Sequence, residues 1–160
     1  YACPPMATDA ETLMRRYPYL HLTAAKLSVP PTLGRERLES LFVRGMRAYN
    51  RVLGDCEAAD EHSLAVWPGH CTLCGRCLRT DGLPCRYPEQ LRLSMDALSL
   101  EIARIAEELF HFQIQWYRDQ APGYLTMIGG LLSFQNNPPM PRDWRGWLPL
   151  QIDSPIDAWR

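Results

Sequence analysis

Tyr124-Leu125-Thr126-Met127-Ile128-Gly129-Gly130-Leu131-Leu132 is apolar almost throughout. A strand with one wet face alternates apolar and polar residues, whereas a continuous apolar run belongs to a strand covered on both faces. Two further runs rich in strand formers lie upstream, Tyr19 to Ala25 and Ser63 to Trp67. Between them, Arg35 to Gly54 carries Leu38, Leu41, Phe42, Met46, Tyr49 and Leu53 at spacings of three and four, which predicts one long helix with an apolar face. Gly45 within it either lowers its stability or marks close packing against a neighbour. Thr8-Asp9-Ala10-Glu11 has the pattern of a capping box opening a short helix through about Arg16. Ser94 is a suitable cap for another helix, whose seam runs through Met95, Leu98, Ile102, Ile105, Leu109 and Phe112.

This alternation predicts an α/β fold, a small mixed sheet flanked by helices, with a cysteine-rich metal-binding loop after a strand. Residues 1–133 are expected to form one domain. Residues 134–160 are expected to be an irregular proline- and tryptophan-rich tail, packed on that domain or on a partner.

The chain has 160 residues, 46% hydrophobic and 22% charged, which suits an ordinary globular domain. Seventeen basic and eighteen acidic residues leave a formal charge of -1. That balance argues against nucleic acid and against an anionic membrane surface as partners. No apolar run reaches the roughly 18–20 residues that span a bilayer, and no signal-like start is seen. A cytoplasmic location is the expectation.

Between Pro68-Gly69 and Ser94 lies the segment that carries chemistry. Cys71, Cys74 and Cys77 follow a C-x2-C-x2-C spacing, and Cys85 comes eight positions after the third. Overlapping spacing of this kind brings sulfurs to one small volume, as a cubane 4Fe–4S cluster requires. Zinc is the alternative, although structural zinc sites typically draw on two separate C-x2-C pairs. Disulfides fit poorly, since cysteines two residues apart pair badly. Cys85 is the expected fourth ligand, with Cys3 of Cys3-Pro4-Pro5 as its rival. Cys56 reads as an ordinary thiol, and His21 as a packed strand histidine. Gly75 is expected to take positive φ and let backbone amides approach the sulfurs. Arg76, Arg79 and Arg86 could offset the negative charge of a thiolate-bound cluster, or orient an acidic partner or anionic substrate. His70 could tune the potential or carry a proton.

The order of these features, from Tyr1-Ala2-Cys3-Pro4-Pro5 through Gly69-His70-Cys71-Thr72-Leu73-Cys74-Gly75-Arg76-Cys77 and Pro84-Cys85-Arg86-Tyr87-Pro88 to Leu93-Ser94-Met95-Asp96-Ala97, resembles the family called domain of unknown function 2284. The resemblance runs to about residue 133 and implies metal binding. Family members carry further cysteines before the Cys-Pro-Pro element, so it also implies that Cys3 would belong to a second metal site. It names no reaction.

No G-x-S-x-G, phosphate-binding glycine loop or H-E-x-x-H is present. The leading expectation is an iron–sulfur protein that transfers single electrons, or serves as a redox accessory to a metalloenzyme or cofactor-maturation system. Its partner would be a redox protein or metalloenzyme. One alternative is an enzyme whose cluster keeps an open iron site as Lewis acid, with Cys85, His70 or Glu89 as acid or base. The other is a zinc- or cluster-stabilised interaction module using Trp144 and Trp147.

Overall fold

The computed structural model describes residues 10–117, 120–138 and 152–155. In chain order the elements are α1 (Ala10–Arg16), β1 (Tyr19–Ser28), α2 (Arg35–Ala58), β2 (Ser63–Val66), α3 (Ile102–Glu108), β3 (Tyr124–Ser133) and β4 (Ile152–Pro155). Two short 3-10 turns, Leu78–Asp81 and Asp96–Leu98, lie between β2 and α3.

The apolar run of β3 becomes the interior of a four-stranded sheet ordered β2-β3-β1-β4. β1 and β3 pair antiparallel along their whole length, from Tyr19↔Ser133 to Ser28↔Tyr124. β2 covers only the far end of β3, from Ser63↔Ser133 to Val66↔Gly130. β4 lies antiparallel on the outer edge of β1. The α/β class is as expected. Every ladder is antiparallel, however, and among the described residues the only parallel pairing outside the named strands is the bridge between Trp67 and Ser94.

Both faces of the central pair are buried, as the continuous apolar run requires. On one face, Leu20, Leu22, Ile128 and Leu132 pack with Met14, Met95, Leu98, Ile105 and Phe110. On the other, Ala25, Ala65, Met127 and Leu131 pack beneath α2 through Met46, Tyr49 and Leu53. α2 extends past its expected end to Ala58, and Cys56 continues its buried stripe. Gly45 does mark close packing: a Cβ there would lie 3.2 Å from Met127 Cε and 3.3 Å from Leu27 Cδ2. His21 is fully buried, and its Nε2 lies 2.9 Å from the Gln135 carbonyl oxygen.

The helix expected from Ser94 through Phe112 does not form as one piece. Ser94 caps only a 3-10 turn, its Oγ accepting the Ala97 N–H at 3.1 Å. Ser99 then adopts a left-handed φ of 58°, and α3 starts only at Ile102. α3 in turn ends at Glu108, before His111 with φ 54°. Met95, Ala97, Leu98, Leu100, Ile105 and Phe110 are all buried against the sheet. Residues 97, 98 and 100 cannot share one narrow helical stripe, so the chain bends at Ser99 to bury them together. The Thr8 capping box, Cys3, Trp144 and Trp147 lie outside the described residues, as does most of the 134–160 tail. Within that tail, strand β4 is described.

Candidate metal centre

The cysteine segment is a loop closed at its base. Trp67 donates its N–H to the Leu93 carbonyl at 2.8 Å, and Met95 donates back to the Trp67 carbonyl at 3.0 Å. Trp67 packs in the core beneath α2, whereas Leu93 and Met95 pack in the core on the opposite face. The two ends of the loop therefore lie side by side, with Ser94 bridged parallel to Trp67 and the side chains of Leu93 and Met95 alternating to the opposite face.

A second tie crosses the same neck. The Arg92 guanidinium donates through Nε to Glu57 Oε2 at 2.8 Å and Oε1 at 3.0 Å, and through Nη2 to Oε1 as well. Glu57 Oε2 also accepts the Ala65 N–H at 2.9 Å. Arg92 Nη1 donates to the Glu89 and Leu91 carbonyls at 2.7 and 2.9 Å. One half-buried ion pair thus joins the end of α2, the β2 edge and the return of the loop. The Glu57 hydrogen bonds push the Arg92 pKa above its ordinary value and keep the guanidinium charged.

Within the loop, the turn at Leu78–Asp81 starts from Cys77, whose carbonyl accepts the Thr80 hydroxyl at 2.6 Å. Gly82 ends that turn in the left-handed region, φ 76°, donating to the Arg79 carbonyl at 3.2 Å. The position that needs glycine is therefore Gly82. Gly75 keeps an ordinary φ, contrary to the expectation, because the tight reversal falls after Cys77 rather than between the second and third cysteines.

Cys71, Cys74, Cys77 and Cys85 are all free thiols, each partly buried. Cys71 sits deepest in the fold, against the core beneath α2. Burial pushes its thiol pKa up, an N–H from Leu73 pulls it down, and the charges of Cys85 and Cys74 push it up again. Burial is thus the main cost of a Cys71 thiolate, a cost that a bound cation would offset. Cys56 lies on α2, its pKa also raised by burial and then by Asp55. His70, Arg76, Arg79, Arg86 and Glu89 are exposed. Arg76 is engaged with Asp81 at 2.9 Å.

Among the described residues, no group of three or more His, Cys, Asp or Glu side chains is close enough to hold a metal ion as placed. A metal held by the loop therefore requires its exposed part to draw Cys74, Cys77 and Cys85 in toward Cys71. The donor chemistry fits such a group: thiolates suit iron–sulfur clusters and zinc. An unsatisfied donor fits as well. The buried Trp67 Nε1–H has no acceptor, and Trp67 lines a cleft of about 300 Å3 together with Leu73 and Arg92. Sulfur at a metal centre accepts such N–H groups. Sequence reading placed Trp67 only at the end of a strand and missed Arg92. Nothing in the linear chain connects Arg92 to Glu57, thirty-five positions away.

No helix among the described residues is long and apolar enough to cross a membrane. Neither a curated protein nor a solved structure matches the chain. Residues 1–133 match the family model of domain of unknown function 2284, described as a predicted metal-binding protein. The match spans the sheet strands β1 to β3, both cores and the whole clasped cysteine loop, and on that coverage the chain belongs to the domain of unknown function 2284 family of predicted metal-binding proteins.

Proposed function

We propose that Cys71, Cys74, Cys77 and Cys85 hold a 4Fe–4S cluster, and that the protein transfers single electrons as a redox accessory to a metalloenzyme or cofactor-maturation system. The observation that carries this reading is the C-x2-C-x2-C run with a later fourth cysteine on one loop, clasped at its neck by Trp67, Leu93 and Met95. Overlapping triplets of this kind serve cubane clusters, whereas structural zinc typically uses paired C-x2-C units. Such a cluster, when bound, supplies one-electron redox chemistry.

The chain's own residues would do the rest. The four thiolates hold the group, and Cys71 anchors it against the core. The unpaired Trp67 Nε1–H, whose ring shares a cleft with Leu73 of the loop, would be available to a cluster sulfur, and such a bond favours the reduced, more negative state. The Glu57–Arg92 pair fixes where the loop returns to the domain. The loop surface offers Leu73, Leu83 and Tyr87 as exposed apolar side chains, at 36%, 50% and 41% exposure. Exposed Arg79 and Arg86 stand nearby in the sequence. Apolar contact rimmed by positive charge suits an acidic redox partner. The same surface also supports a second reading, in which zinc pins the loop and the protein is an interaction module.

Anaerobic reconstitution with iron and sulfide tests the proposal. The expected product is brown, contains about four iron and four sulfide per chain, bleaches with dithionite and then shows a paramagnetic signal. Cys71→Ser, Cys74→Ser and Cys77→Ser should each abolish the chromophore, while Cys56→Ser should keep it. A colourless protein with one tightly held zinc per chain would refute electron transfer and leave the zinc-pinned reading.

A further inference from the structure

β2 covers β3 only from Gly130 to Ser133, so the edge of β3 before Gly130 has no strand beside it among the described residues. The chain turns away there, at Trp67-Pro68, into the cysteine loop. A cavity of about 500 Å3 opens in the gap this leaves. Leu38 and Phe42 of α2 wall it on one side, Ile102 and Ala103 of α3 on the other, and Leu125 and Thr126 of β3 form its floor. Trp116 and Tyr117 also line it, and both are exposed, Trp116 by 70%. The size falls in the range of small-molecule sites.

Two polar groups give the cavity a chemical preference. The Thr126 hydroxyl oxygen is buried and has no hydrogen-bond partner. An unpaired buried hydroxyl is costly and is rarely left so without a ligand or water to meet it. Among the described lining residues Asp96 is the only charged one, which disfavours an anion. We propose that this cavity binds a small, flat, largely apolar molecule, neutral overall, carrying one oxygen or nitrogen that hydrogen-bonds to Thr126. Pro68 and Met95, on the two strands of the loop neck, also line the cavity. An occupant would therefore lie beside the cysteine loop, yet the inference does not depend on which metal that loop holds.

N-phenyl-1-naphthylamine, a neutral dye that brightens in apolar surroundings and carries one N–H, tests this on the full chain. Saturable brightening at one dye per chain is expected. Ala103 is exposed, so Ala103→Trp should fill the cavity with an unchanged circular dichroism spectrum and weaken dye binding at least about tenfold. In competition, 2-naphthol should displace the dye about three- to tenfold better than naphthalene, the value of one hydrogen bond. Thr126→Val should erase that difference and leave naphthalene unaffected. Dye binding that survives in folded Ala103→Trp would overturn the proposal. So would a hydroxyl preference retained in Thr126→Val, and that arm decides alone if Ala103→Trp does not fold.

Discussion

Tyr49 shows how much one side chain can join. Its hydroxyl donates to the Thr23 carbonyl at 2.8 Å and accepts the Gly129 N–H at 3.1 Å. With that proton given away, the Thr23 hydroxyl donates to the phenol oxygen in turn. One residue of α2 thereby bonds both central strands from inside the core. Burial pushes the Tyr49 pKa well above its ordinary 10.0, because the buried site disfavours phenolate. The sign follows: this stability is fully present below about pH 10 and is lost as pH rises toward the folded-state value. Tyr49→Phe should cost about 1–3 kcal/mol at neutral pH, since it leaves buried partners unpaired. Its deficit should narrow above pH 10, as read by urea midpoints across pH. The helical spacing placed Tyr49 on the buried face. Its bonds to Thr23 and Gly129 had no linear signal, because they depend on how α2 crosses the sheet.

At the scale of elements, β3 owes its position to what two of its residues lack. A Cβ on Gly129 would lie 2.7 Å from the Val66 carbonyl oxygen and 2.9 Å from Tyr49 Cε1. A Cβ on Gly130 would collide with the His21 carbonyl oxygen. The glycines let α2 and β1 approach the strand more closely than any side chain would permit. Gly129→Ala should destabilise the fold by about 1–3 kcal/mol, seen as a lower urea midpoint at an unchanged slope. The loop neck depends on a different device. Glu57→Gln would leave the Arg92 charge half-buried without its counter-ion, a cost of about 1–3 kcal/mol after discounting for partial exposure. Limited proteolysis should then cut the 68–92 stretch faster than in the wild type, while the sheet stays protected. Equal cleavage rates would remove the Glu57–Arg92 tie from its role in holding the loop.

For the whole molecule, the two cores stand on opposite faces of one sheet, and the cysteine loop is an excursion that leaves after β2 and returns to pair with Trp67. Its interior turn, Leu78–Asp81, has no buried residue, so the loop's outer half adds little packing of its own. A metal bound there should stabilise the loop far more than the domain. Chelation from the metal-loaded protein should leave the circular dichroism of the sheet and α2 nearly unchanged and sharply raise hydrogen exchange over residues 71–88. Global unfolding on chelation would show instead that the metal belongs to the core's stability.

Local pattern alone determined the α/β class, the bounds of β1 and β3 within a few residues and the buried face of α2, and it set the cysteine spacing on which the proposed metal site rests. Those features follow from side-chain periodicity and from thiol spacing, which act over a few positions. Tertiary structure decided the antiparallel ladders, the break at Ser99, the left-handed turn at Gly82 rather than Gly75, and the Glu57–Arg92 clasp. It also decided the cavity beside the loop. Each of these depends on which surfaces meet across tens of residues: three closely spaced apolar positions forced a bend only because one sheet face had to cover them all. The cysteines were legible in the chain, and the neck that closes their loop existed only once the sheet edge was in place.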